Sequence, residues 1–214
     1  MPTIKTMLPP TTISLHHWQI TCLCLATAIL LAADHAAAAD LPQVTPQTIS
    51  ALDGPPLQLV PTAPAKLTVL VFLGTECPVS NGYAPAMKRL YAAHHQAGVQ
   101  FVGIHCDEDV STEYAKTHAA EYGIPFPIAL DHQQRLAQAC GVQTMPTAVV
   151  ISPQGRIIYR GRIDNRYLTN GVRRFEATEF DLQDAISAGL AGKLPARTST
   201  EPFGCPIPPP RRKD

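Results

Sequence analysis

An α/β domain built on a central mixed β-sheet flanked by helices is predicted by three features of the sequence. The first is a pair of apolar runs, 67–73 (LTVLVFL) and 99–105 (VQFVGIH), each about as long as one strand. Nearly continuous runs of branched apolar residues suit strands buried on both faces of a parallel sheet. The second is the stretch between them, where Tyr83, Met87, Leu90, Tyr91 and His94 recur three or four apart until Gly98. That spacing predicts a helix from Pro78 onward, and a strand–helix–strand order requires a parallel crossover. The third is 148–152 joined through Pro153-Gln154-Gly155 to 156–160, which reads as an antiparallel hairpin. Parallel and antiparallel pairs in one sheet make it mixed. The remaining elements fit around this frame. A turn at Asp53-Gly54 divides 48–52 from 57–60 into a short hairpin, and Ser111 and Gly123 bracket a helix over 111–122. A short strand is expected near 127–130, a short helix over 133–140 and a closing helix over 180–190.

Residues 1–39 carry a single cation, Lys5, then an apolar run over 18–33, then Ala36-Ala37-Ala38-Ala39. A charged start, an apolar middle and a small-residue site describe a cleavable secretory signal peptide, so the product is expected to be periplasmic or secreted. The run is short for a membrane span. Removing 39 of the 214 residues leaves 175, enough for one compact domain. The expected organisation is signal peptide 1–39, domain 40–193 and a proline-rich tail 194–214 carrying Cys205. The chain is formally neutral, with 17 basic and 17 acidic side chains, which argues against nucleic acid as a partner and limits membrane contact to the leader. Beyond the leader lie Cys77, Cys106, Cys140 and Cys205, which in an oxidising compartment allow three pairings.

Cys77 stands where the first buried strand gives way to a helix, in GTECPVSNGY. Pro78 fits the first helical position because its missing N–H would have had no partner there. Unpaired amides and the positive end of the helix dipole then favour a thiolate at Cys77, the nucleophilic form. Glu76 beside it opposes that effect. The alternative is a buried cysteine acting as a small hydrophobe. In TMPTAVV, Pro146 has no N–H for a central ladder and must precede the strand that follows.

GTECPVSN, TMPTAVVISPQGRIIYRGRID, Ala191-Gly192-Lys193 and Gly204-Cys205 together resemble the redoxin or peroxiredoxin-like group of the thioredoxin-fold superfamily (AhpC/TSA-like) over about residues 49–207. The resemblance implies a thioredoxin-like fold, a cis Pro146 facing Cys77, and an oxidoreductase. Departures from better-known relatives shape the chemistry. Ser80 stands where a thioredoxin has its second cysteine, so Cys77 needs another partner or an external thiol. Thr75 is two residues before Cys77 rather than three, position 74 is glycine, and Pro146 falls where a peroxiredoxin arginine would brace the thiolate.

Thiol–disulfide exchange through Cys77 is therefore the leading expectation, with Cys205 as the resolving thiol. Some 15 residues separate Cys205 from the last helix, and at roughly 3.3 Å per extended residue reach is no obstacle. Cys205 bonded permanently to another cysteine, or free, remains open, as does a Cys106–Cys140 bond against two buried thiols. A peroxiredoxin-like peroxide reductase and a redox-inert binding module with a structural disulfide are the alternatives. Thr75, Pro78, Ser80, Met145 and Pro146 are the expected substrate-contacting residues, and the substrate is a thiol or disulfide protein or a hydroperoxide, served by a thiol reductant of unknown identity. No cofactor or metal is called for, because Asn81 replaces the second cysteine of a copper-type pair and His105-Cys106 alone reads as strand. Arg160 and Arg162 are expected to be solvated charges on the hairpin's second strand.

Overall fold

The computed structural model describes residues 42–168 and 172–210; the expected leader and the last four residues of the tail lie outside them. Within these bounds the chain first forms a small antiparallel hairpin, β1 (Thr48–Ile49) with β2 (Leu57–Gln58). The main sheet follows: β3 (Leu67–Leu73), β4 (Val99–His105), β5 (Ile128–Leu130), β7 (Thr147–Ile151) and β8 (Ile157–Gly161), in the spatial order β5-β4-β3-β7-β8. β3 pairs parallel with β4 and antiparallel with β7, so the sheet is mixed, as its pattern predicts.

All seven residues of β3 are buried because both faces of the sheet are covered. Leu67, Val69, Val71 and Leu73 face Tyr83, Met87 and Leu90 together with Leu182, Ala185 and Ile186 of the last helix, α5 (Asp181–Leu190). Leu70 and Phe72 face the other way, toward Leu59, Val102, Ile104 and the short helix α4 (Arg135–Cys140). The period of two along the strand thus feeds two separate cores.

The helix that starts at Pro78 comes in two pieces, α1 (Pro78–Gly82) and α2 (Ala84–His94). Pro85 has no N–H to offer the preceding turn, so the ladder lapses at Tyr83, which nevertheless keeps right-handed helical dihedrals. α3 (Thr112–Tyr122) is capped as its sequence indicates: the Ser111 hydroxyl accepts from the Tyr114 N–H at 3.1 Å, and Gly123 adopts a left-handed conformation. α4 begins two residues later than expected. Gln134 takes φ 55°, which excludes it from a helix, and the Asp131 carboxylate instead receives the Ala137 N–H at 2.9 Å.

Arg160 and Arg162 are not solvated charges, contrary to the sequence-based expectation. Arg160 donates to the Cys140 carbonyl at 3.3 Å. Arg162 holds Asp181 at 2.7 Å and also pairs with Glu179, while Arg197 reaches Asp181 at 2.8 Å and Glu179 at 2.6 Å. Asp181 is only 3% exposed at its side chain, so two guanidinium groups are what make its burial tolerable. Nearby, the buried Tyr83 hydroxyl donates to the Asp164 carboxylate at 2.9 Å; burial, and then the negative Asp164, push its pKa far up. The YRGRID segment is thus a fastening between β8, α5 and the tail.

The tail crosses the domain as a strap. Thr200 N–H donates to Arg160 O at 3.1 Å and Arg160 N–H to Thr198 O at 3.0 Å. Further on, β9 (Cys205–Pro206) pairs antiparallel with β6 (Thr144–Met145). Replacing Arg162 by Met should destabilise the fold by about 2 kcal/mol, because Asp181 is left with Arg197 as its remaining guanidinium partner. Urea unfolding at pH 7 measures this, and a loss under about 0.5 kcal/mol would contradict the role given to the pair.

Candidate active site

The site lies at the end of the sheet where β3 and β4 terminate side by side, with Leu73 in register with His105. Residues 74–76 turn the chain, and Cys77 becomes the N-cap of α1 with φ −85° and ψ 110°. Its carbonyl accepts the Asn81 N–H at 3.0 Å, and its own N–H donates to Gly74 O at 3.3 Å. Cys77 is 3% exposed.

Cys77 is bonded to Cys205 across 128 residues of sequence, with 6.0 Å between the Cα atoms. The backbone brings them together. Met145 and Cys205 are direct partners in the β6–β9 ladder, and the Met145 carbonyl oxygen lies 3.4 Å from the Cys77 sulfur. Gly204 makes the close approach feasible, since a Cβ there would drive into the Met145 carbonyl. The Met145–Pro146 peptide bond is cis. Pro146 separates β6, which serves the strap, from β7, which serves the main sheet.

Of the other residues singled out by sequence, Thr75 is buried and lines the site, and its carbonyl accepts from the Asn81 side-chain amide at 2.9 Å. Pro78 is exposed at the first position of α1. Ser80 departs from the expectation of substrate contact: it is 1% exposed, and its hydroxyl receives the Gly74 N–H at 3.2 Å. It braces the turn from inside. Met145 and Pro146 are buried, and Met145 lines the site.

A cleft of about 150 Å³ opens over the disulfide, lined by residues 73–77 together with His105, Asp107, Met145, Cys205, Pro206 and Pro208. No lysine or arginine is among them. On the other side of the Thr75–Glu76 turn lies a wider groove, about 550 Å³, that includes Asn81, Tyr114, His118 and Glu121. There the Tyr114 hydroxyl donates to the Glu76 carboxylate, which raises the Tyr114 pKa.

Two histidines back the turn, and sequence reasoning gave neither a role. His105 is fully buried and donates from Nδ1 to Leu73 O at 3.0 Å. Burial, followed by the neighbouring His118, lowers its pKa to about 4, so the ring is neutral at pH 7. The His118 ring meets it edge-on at 5.3 Å. His118 Nε2 donates to the Asn81 side-chain oxygen at 2.8 Å, since the Asn81 amide nitrogen is already committed to Thr75. The signal available in sequence was His105 ending an apolar run parallel to the one that leads to Cys77.

Cys106 and Cys140 are free thiols, both buried. Burial raises both pKa values, that of Cys140 to about 12, with Asp131 adding to each shift. They are therefore poor nucleophiles at neutral pH. Among the described residues no group of three or more His, Cys, Asp or Glu is placed to hold a metal ion, and no helix is long and apolar enough to cross a membrane.

Two outcomes follow from this geometry. Gly204→Ala should destabilise the oxidised protein by about 2 kcal/mol, as backbone and not a flexible side chain blocks the new methyl; an unchanged urea midpoint would contradict the tight β6–β9 approach. His105 has a folded-state pKa below its unfolded value of about 6.5, so the unfolded chain takes up the proton first as pH falls. Its stabilising contribution is complete above pH 6.5 and declines toward pH 4, by about 2 kcal/mol between 6.5 and 4.5. His105→Asn, which keeps a donor for Leu73 O, should flatten that part of the stability–pH curve; identical slopes in both proteins would contradict the assignment.

Comparison with known proteins agrees with this architecture. The chain is 30% identical to the thiol-disulfide oxidoreductase ResA of Halalkalibacterium halodurans over 89 residues, 42% of this chain and 49% of that protein. It is 31% identical to ResA of Bacillus anthracis over 90 residues, 42% and 50% of the two chains. The chain thus spans about half the length of the curated relatives it matches. Among solved structures, an uncharacterized conserved protein from Geobacillus kaustophilus superposes with a TM-score of 0.66 at 24% identity, covering 78% of this chain and 90% of that one. A hypothetical protein from Sinorhizobium meliloti 1021 gives 0.67 at 22% identity, covering 78% and 92%. These likenesses concern the fold, which is thioredoxin-like with a mixed central sheet flanked by helices. The redoxin family model matches residues 36–170, which include the Cys77 turn, both histidines and the Met145–Pro146 bond; the chain belongs to the redoxin family.

Proposed function

We propose that this protein is a thiol–disulfide oxidoreductase whose redox couple is the Cys77–Cys205 pair, cycling between disulfide and dithiol. The observation that carries this reading is that the disulfide lines an open cleft at the strand ends, and is not sealed in the core. A purely structural staple gains nothing from such a place. The buried thiols Cys106 and Cys140 are poor substitutes, as their raised pKa values keep them protonated. The similarity to ResA over part of the chain points the same way. Thr75 and Met145 line the cleft at the couple and Pro78 lines the adjoining groove, which makes them the substrate-facing residues; Pro146 is buried behind them and Ser80 positions the turn.

Exchange is favoured over peroxide reduction because the cleft lining contains no cation to stabilise a peroxidatic thiolate or polarise a peroxide. The substrate class is a protein thiol or disulfide. The order of residues 1–39 supports export as a signal peptide, and a disulfide couple fits an oxidising compartment. The domain then runs over 40–193, followed by the proline-rich tail 194–214 that carries Cys205.

With dithiothreitol as electron source, the wild type should accelerate reduction of insulin disulfides. Cys77→Ser and Cys205→Ser should each reduce that acceleration at least tenfold, and hydrogen peroxide consumption should not exceed that of Cys77→Ser. Equal insulin rates for wild type and Cys77→Ser would reject the proposal; peroxide consumption lost in Cys77→Ser would favour the peroxidase reading.

A further inference from the structure

We infer that Cys205, not Cys77, is the sulfur that an incoming thiolate attacks, so that the mixed disulfide with substrate forms on the strap and Cys77 is the leaving and resolving thiol. This rests on the Cys77–Cys205 couple proposed above and reverses the roles that the sequence alone suggests. Three observations support it.

The two cysteines differ in exposure. Cys77 is 3% exposed, whereas Cys205 is half-buried and followed by the exposed Pro206. Cys77 is hemmed in by its surroundings: the Met145 carbonyl oxygen is 3.4 Å from its sulfur, and Gly74 packs so closely that a Cβ there would stand 2.9 Å from the Cys77 Cβ. Disulfide exchange proceeds by attack of a thiolate on one sulfur with expulsion of the other, so access selects the site of attack.

The strap keeps Cys205 in place whether or not the bond is intact. Met145 pairs with Cys205 in the β6–β9 ladder, and Ile207 N–H donates to Gln143 O at 2.9 Å. Upstream, Thr200 and Thr198 are tied to Arg160. None of these bonds involves sulfur. Backbone pairing thereby holds Cys205 beside Met145, whose carbonyl oxygen lies 3.4 Å from the Cys77 sulfur, so an expelled Cys77 remains beside the sulfur it left.

The environments also differ in what they offer a departing group. Cys77 caps the helical run that continues through Tyr83 into α2, and the Met145 carbonyl accepts its S–H once protonated. Cys205 sits on a two-residue strand at the mouth of the cleft.

The sequence of steps balances. A substrate thiolate forms a bond to Cys205 Sγ; the Cys77–Cys205 bond breaks, and its electron pair leaves with Cys77. A second substrate thiolate then attacks the substrate sulfur of the mixed disulfide and expels Cys205. The substrate dithiol is oxidised by two electrons, the protein disulfide is reduced by two, and the two protons lost by the substrate are taken up by Cys77 and Cys205. In reverse, Cys205 attacks a substrate disulfide and Cys77 resolves the adduct.

The test uses the oxidised full chain with reduced glutathione as the probe thiol. Samples are acid-quenched at short times, alkylated and digested, and the glutathionylated cysteine is located by peptide mass. The expected result is an adduct on Cys205 with Cys77 alkylated. In parallel, glutathione disulfide should modify Cys205 in Cys77→Ser at least tenfold faster than it modifies Cys77 in Cys205→Ser. An early wild-type adduct on Cys77, or the opposite order of rates, overturns the inference but leaves the redox couple standing. A disulfide that glutathione does not open at all overturns both.

Discussion

The antiparallel contact between Met145 and Cys205 is the constraint on which the site depends. It requires a chain that leaves the last helix, crosses β8 and arrives beside β6 with Gly204 in the tightest position. Remove that contact and Cys77 is a lone cysteine at a helix start, with Ser80 turned inward and no thiol within the turn. With it, two sulfurs distant in sequence meet at the end of the sheet. Closing a loop of this length restricts the unfolded chain by about 5 kcal/mol in the chain-entropy account, so the bond proposed to perform exchange also stabilises the fold. In the proposed cycle the strap's own hydrogen bonds hold the partner thiol in place when the bond opens.

The division of labour around Pro146 explains how one segment serves two sheets. β7 continues into the main sheet and carries the core, while β6 on the other side of the proline is left free to accept β9. His105 and His118 complete the backing of the turn. His105 holds the end of β3 through Leu73 O, and His118 reaches Thr75 O through Asn81. Both rings are kept toward the neutral form chiefly by burial, which suits groups that brace a thiol turn rather than titrate beside it at pH 7.

Much of the fold was legible in the sequence because its signals were local. The runs 67–73 and 99–105 carry a uniform apolar composition that only a doubly covered strand satisfies, and Ser111 and Gly123 mark the ends of α3 by their own backbone chemistry. The break at Tyr83 follows from Pro85 and could be read locally too. The strap was different. Its proline content excludes a core, and the pairing of Cys205 with Met145 is a contact between segments 60 residues apart that no local pattern encodes. The arginines of YRGRID misled for the same reason, since Asp181, Glu179 and Arg197 give them partners only after folding. Cys77 was identified from the strand–proline–helix junction alone. The histidines behind it became meaningful only once the parallel register placed His105 opposite Leu73.

Equilibration of the full chain in glutathione redox buffers, with the Cys77–Cys205 linkage followed by non-reducing peptide mass mapping, tests the central claim most directly. The account predicts one reversible two-electron transition in which the Cys77–Cys205 peptide disappears and returns while the protein stays folded. A linkage that yields only after denaturation, or a different pairing of Cys77, would contradict it.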